Sequence, residues 1–123
     1  MSALKGVVVG HGTLAAALVD AVQCIAGADT GLVAISNTDC DRGTLEAKIL
    51  EAVGEGPALV FIDMPSGSCL VAAMRRLEGI AGTRVVTGVN LAMLLEFVFH
   101  RDGDVDDVAK HVVQVGVRAV ATR

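Results

Sequence analysis

The sequence predicts an α/β fold: a doubly wound, mostly parallel sheet of four strands with helices on both faces and a C-terminal edge strand exchanged in a dimer. Short β-branched apolar runs alternate along the chain with longer segments of helical period. Hydrophobic residues make up 53% of the 123 residues and charged ones 20%, which suits a sheet covered on both faces. The connections have the length of right-handed crossovers, which leaves few other topologies. Residues 1–123 are read as one domain without repeats or linkers, long enough to bury a core.

Strands are expected at Leu4 to Val9, Leu32 to Ser36, Ala58 to Asp63 and Arg84 to Gly88, each bounded by Gly, Pro, Asn or Asp. Between the first two, Leu14, Leu18, Ala21, Val22 and Ile25 recur at helical spacing and Gly27 supplies a stop. Cys24 is expected on the buried side of this helix and Cys40 in a loop. Thr44 or Asp41 is the candidate cap of a second helix with a stripe of Leu45, Ile49, Ala52 and Val53, ending at Gly54 or Gly56. Ser66 or Ser68 is the candidate cap of a third, with Leu70, Met74 and Leu77 inside and Arg75, Arg76 and Glu78 outside.

After the tight turn Gly88-Val89-Asn90, a fourth helix runs from about Leu91 to His100 with Leu91, Leu94, Leu95 and Val98 on its apolar face. Asp104, Asp106 and Asp107 crowd the start of a fifth, where carboxylates meet the positive end of the helix dipole. Beyond Gly116 the spacing changes to near alternation, so Val117 to Thr122 is read as the edge strand whose exchange would pair two copies.

Composition excludes several classes of function. The net charge of −4 carries no basic stripe for nucleic acid or anionic membranes, and three Phe without Trp or Tyr make no base-stacking platform. The N-terminal apolar run is too short for a signal peptide and no window approaches a membrane span, so a cytoplasmic chain without direct membrane insertion is expected. Cys24, Cys40 and Cys69 lack CxxC pairing, the three histidines have no local ligand spacing, and the acids from Asp102 to Asp107 lack the pattern of a calcium loop. No metal or cofactor is implied, and His100 and His111 are read as surface residues.

The ligand crevice of such a sheet lies beyond the carboxyl ends of its strands, where His11, Asp63 and Gly88 to Asn90 all fall. His11 ends the first strand beside a helix N-terminus, a place that attracts anions. Asp63 ends the third strand; from there its carboxylate can accept a hydrogen bond from His11 Nδ1–H, fix the tautomer and leave the Nε2 lone pair facing outward. The loop around Ser66, Gly67 and Ser68 offers hydroxyls and a close backbone approach for a phosphate, with Gly12 on the histidine's side. It lacks a Walker-type lysine, and Gly10 and Gly12 do not form a dinucleotide fingerprint.

Three ordered blocks resemble the IIA domains of the mannose class of the bacterial phosphoenolpyruvate-dependent sugar phosphotransferase system. HGTLAAALVDAVQCIAG resembles the segment around that family's phosphorylated histidine, FIDMPSGSC its Asp-Leu-Phe-Gly-Gly-Ser-Pro segment, and GVNLAMLLEFVFHRD its GVN segment with the following helix. The resemblance spans nearly the whole chain. It implies a cytoplasmic, homodimeric phosphotransferase whose His11 accepts a phosphoryl group from phospho-HPr and passes it to a IIB domain, for sugar uptake or regulation. Asp63 matches the orienting carboxylate and Ser68 a serine of the phosphate-side loop. Pro65 and Ser66 stand where the family usually has a bulky residue and a glycine, and Cys69 where it usually has proline; these changes alter the docking rim and leave His11 and Asp63 untouched.

Two other readings stay open. A noncatalytic regulatory or binding module would keep the fold and use the crevice for recognition alone. A receiver-like domain phosphorylated on Asp63 would need magnesium-binding acids after the first strand, where Gly10 and His11 stand.

Overall fold

A computed structural model describes residues 3–123. The strands are β1 (Lys5–Gly10), β2 (Leu32–Ser36), β3 (Ala58–Ile62) and β4 (Thr83–Thr87), and the helices are α1 (Leu14–Ala26), α2 (Arg42–Val53), α3 (Ser68–Leu77), α4 (Leu91–Phe99) and α5 (Val105–Arg118). All strand pairs are parallel, in the order β2-β1-β3-β4, with Val7 of β1 level with Val33 of β2 and Val60 of β3. The central strands β1 and β3 are buried on both faces from Gly6 and Ala58 onward, which is why they read as continuous apolar runs.

Alternation along these strands divides the core in two. Val8, Leu59, Phe61 and Val86 point to the face covered by α1, α4 and α5. Val7, Val9, Val60 and Ile62 point to the face covered by α2 and α3, against Leu45, Ile49, Ala72, Ala73 and Leu77. On the first face Phe61 meets Phe97 edge to face, with ring centroids 5.3 Å apart. Gly6 makes room for this pair, because a Cβ there would stand 2.7 Å from Phe97 Cε2.

Local signals set the helix ends. Asp41 caps α2 by accepting from Thr44 N at 2.7 Å, and Asp104 caps α5 by accepting from Asp106 N and Asp107 N. Asn90 caps α4 through Met93 N and donates through Nδ2 to Gly116 O, so the turn after β4 also fastens α4 to α5. Across the other face, buried Glu46 of α2 receives Arg75 and Arg76 of α3.

Several expectations are corrected. Val117 to Thr122 forms no strand in the chain: α5 runs on to Arg118, and the residues beyond it join no sheet. Val105, Val108, Val112 and Gly116 make one continuous buried helical face, so Val117 and Arg118 ride on its last turn. Cys24 is exposed, since it lies about 200° around α1 from buried Val22. The contact stripe of α1 is Ala15, Val19 and Val22, with Leu14 and Ile25 exposed, because a helix apolar on several sides leaves the choice of inner face to the sheet. Met74 is likewise exposed on α3, where small Ala72 and Ala73 take the inner positions.

Candidate functional site

The order β2-β1-β3-β4 makes β1 and β3 neighbours while their connections leave in opposite directions. This creates a switch point at their carboxyl ends, where a crevice opens. His11 follows β1 and Asp63 follows β3, and the ladder carries one step past the strands through Asp63 N donating to Val9 O at 3.2 Å.

Asp63 Oδ2 accepts from His11 twice, from the backbone N at 3.0 Å and from ring Nδ1 at 2.6 Å. A carboxylate only accepts, so Nδ1 carries the ring proton and the lone pair lies on Nε2. The Asp63 side chain is 8% exposed and that of His11 43%, so the pair has a buried base and an open tip. Asp63 Oδ1 is buried without a hydrogen-bond partner, which leaves the carboxylate's bonds concentrated on the oxygen that faces His11.

Two helix N-termini flank the imidazole. α1 begins three residues after His11, and α3 begins at Ser68 with Gly67 as its N-cap, in place of the expected Ser66 or Ser68 and without a side-chain cap. The first amides of a helix have no partner within it and carry partial positive charge, so both ends favour an anion at the exposed ring edge. Gly67 lies close against the ring in a backbone conformation suited to glycine: φ is +93°, and a Cβ there would stand 3.6 Å from His11 Cε1 and 3.8 Å from Nε2.

The end of β2 supplies residues that sequence reasoning missed. Asn37 Oδ1 accepts from Gly12 N at 3.3 Å, and its Nδ2 points to Ser68 Oγ at 3.5 Å. Ser36 Oγ donates to Gly12 O at 2.7 Å. Together they join the His11 loop to the start of α3. Ser66, by contrast, is exposed in the loop and makes no hydrogen bond to the other described site residues. Cys69 is buried with its Sγ 3.8 Å from His11 Nδ1, and burial, with the Asp63 charge next, pushes its thiol pKa up against a smaller opposing effect of its hydrogen bond with Ser68.

Fold and site define a class: a parallel α/β domain that presents a carboxylate-backed imidazole between two helix N-termini at the carboxyl edge of its sheet. The family model described as the PTS system fructose IIA component, of the mannose type, matches residues 5–113. Among solved structures, the mannose/sorbose-specific IIA subunit of the phosphotransferase system from Enterococcus faecalis is 30% identical, with a TM-score of 0.85 over 99% of this chain and 96% of that one. The EIIA component from Streptococcus agalactiae shares the fold at a TM-score of 0.89 and 22% identity, covering 96% of this chain and 95% of that one. A IIA protein associated with the fucose utilization operon of Streptococcus pneumoniae does so at 0.84 and 17%, covering 99% and 96%. A comparison with curated protein sequences finds no significant match.

The chain belongs to the mannose/fructose-type IIA family of the sugar phosphotransferase system. Its general role is that of a phosphoryl carrier in that system. Among the described residues, no helix is long and apolar enough to cross a membrane.

Proposed function

We propose that His11 is the phosphoacceptor of this carrier, taking its phosphoryl group from phospho-HPr and handing it to a IIB domain. The Nε2 lone pair attacks phosphorus while the donor's N–P bond breaks, and that bond's electron pair returns to the donor imidazole. Asp63 keeps the Nδ1 proton in place and offsets the positive charge that develops on the ring. Gly12, Gly67 and Ser68 line the side where the phosphoryl oxygens arrive, with Ser66 on the outer rim. Positioning and electrostatics suffice, since the transferring group asks for little covalent chemistry from the protein.

The observation that carries this reading is the contact from His11 Nδ1 to buried Asp63 Oδ2 at 2.6 Å, which commits Nε2 to the open side. It favours His11 over Asp63 as the acceptor, because the carboxylate is buried and already engaged while the imidazole tip is not. Residues 1–123 act in this reading as one IIA domain in the cytoplasm. Exposed Val117 and Val120 at the end of the chain support contact with a second copy in a homodimer.

The test is incubation of the chain and of His11→Ala with phosphoenolpyruvate, enzyme I and HPr. The expected result is a label on the parent alone, stable in mild alkali and lost in acid. A label lost in alkali and kept in acid would assign the phosphate to Asp63, and no label on the parent would favour the noncatalytic module.

A further inference from the structure

A second cluster of ligand-type side chains lies far from His11. Glu96 lies on α4, His100 is the cap four residues on, just past the helix end, and His111 faces them from α5. Leu4 N donates to Arg101 O and Leu4 O accepts from Arg101 Nε, so the end of α4 sits at the amino edge of the sheet, opposite the His11 crevice.

Both imidazoles converge on one oxygen. Glu96 Oε1 stands 2.7 Å from His111 Nε2 and 3.3 Å from His100 Nδ1, and the rings meet edge to face with centroids 4.8 Å apart. One donor atom from each of the three residues lies within 4.8 Å of the others. In a tetrahedral zinc site with bonds of about 2.0–2.2 Å, neighbouring ligand atoms are about 3.2–3.6 Å apart, so small rotations turn this cluster into three corners of a tetrahedron.

We propose that Glu96, His100 and His111 form a binding site for a divalent cation of the zinc class, with a fourth position open to water or to a ligand from outside. Two imidazoles and one carboxylate select late first-row metals over magnesium or calcium, which prefer oxygen. Each neutral imidazole has a second nitrogen to carry its proton, so a cation can replace the hydrogen bonds of His111 Nε2 to Oε1 and of His100 Nδ1 to the backbone carbonyl of Glu96, 2.7 and 3.0 Å long, without requiring a charged ring. The side chains of Glu96, His100 and His111 are 30%, 51% and 39% exposed, which gives a cation a way in. His100 and His111 also line a cavity of about 360 Å³ with Asp102 and Asp107, whose carboxylates make the approach attractive to a cation. Glu96 of α4 and His100 at its C-cap face His111 of α5, so a bound metal would clamp the two helices together.

The experiment is titration of the full chain with Zn²⁺ by calorimetry and with Co²⁺ by visible absorption. One equivalent should bind, with the intense visible bands of tetrahedral Co²⁺. Glu96→Gln and His111→Asn should each weaken binding more than about tenfold, since even the outer-shell partners of a metal are worth about 10–100-fold. His100→Asn gives an independent third variant, and far-ultraviolet circular dichroism identifies any substitution that unfolds the chain. His11→Ala and Cys69→Ser should leave the titration unchanged. Absence of binding, or an affinity unmoved by the three cluster variants, would overturn the proposal. So would loss of binding in His11→Ala or Cys69→Ser, which would move the metal to the His11, Asp63 and Cys69 group.

Discussion

Asp63 Oδ2 holds His11 at two points, the backbone N at 3.0 Å and ring Nδ1 at 2.6 Å, while Asp63 Oδ1 is buried without a partner. One oxygen therefore sets both the position of the loop and the tautomer of the ring. In Asp63→Asn the amide oxygen can keep the two contacts, with the amide nitrogen placed where Oδ1 was. Shape is retained, but the charge that offsets a positive imidazole is gone. Phosphoryl transfer to His11 should slow between about 10²- and 10⁴-fold with the circular dichroism spectrum unchanged. Single-turnover labelling from phospho-HPr measures this, and an unchanged rate would remove Asp63 from the mechanism.

Gly67 and Gly27 provide a matched pair of substitutions. Both have φ of +93° with extended ψ, near −177° and 178°, a region that alanine enters only under strain. A Cβ at Gly27 meets nothing within 4 Å, whereas one at Gly67 stands 3.8 Å from His11 Nε2. Gly67→Ala and Gly27→Ala should each lose about 1–3 kcal/mol in urea denaturation. Only Gly67→Ala should also slow phosphorylation of its folded fraction, because its methyl group, in van der Waals contact with the attacking nitrogen, takes up space beside it that the phosphoryl group needs. Equal labelling of the two folded variants would mean that the phosphoryl group approaches from another side.

The parts of this fold that a one-dimensional pattern can encode were legible in the sequence. The apolar runs of β1 and β3 are buried on both faces, and the residues just past them, His11 and Asp63, belong to the carboxyl edge once the sheet is parallel. The C-terminal segment was misread because valine in a last helical turn resembles a strand when its buried partners, Val108 and Val112, lie further back. Asn37 and Ser36 were overlooked for a different reason: Ser-Asn-Thr after a strand looks like any polar turn, and its reach to Gly12 depends on the spacing of neighbouring loops. The four-residue spacing of Glu96 and His100 was a readable local signal, but His111 joins them only through the packing of α4 on α5.

Asn37 should matter more for transfer than for folding. Its amide touches Gly12 N at 3.3 Å and Ser68 Oγ at 3.5 Å, both long contacts, so it contributes little to stability. Its place between the His11 loop and the start of α3 instead sets how the two helix N-termini converge on the phosphoryl group. Asn37→Ala should slow labelling from phospho-HPr roughly two- to tenfold, the range of one ordinary hydrogen bond. A urea midpoint that falls while the labelling rate holds would assign Asn37 to the fold and not to the site.

Cys69 stands 3.8 Å from His11 Nδ1, and a thiolate there would place a second negative charge against both Asp63 and an incoming phosphoryl group. Burial, reinforced by Asp63, raises the pKa of this thiol and holds it neutral, so it fills space beside the imidazole without competing for its proton. At about pH 8, iodoacetamide should therefore label exposed Cys24 and spare Cys69 until the chain unfolds. The same shift has a consequence for stability. Above the ordinary thiol range of about 8.5 the unfolded chain gives up its proton while the folded one keeps it, so stability falls as pH rises towards the folded value. The urea midpoint of the parent should drop more steeply above about pH 8.5 than that of Cys69→Ala, which lacks the titrating group. Parallel curves would mean that the buried thiol ionises as it does in the unfolded chain, and that its neutrality is not part of how the site keeps negative charge away from the transferred phosphoryl group.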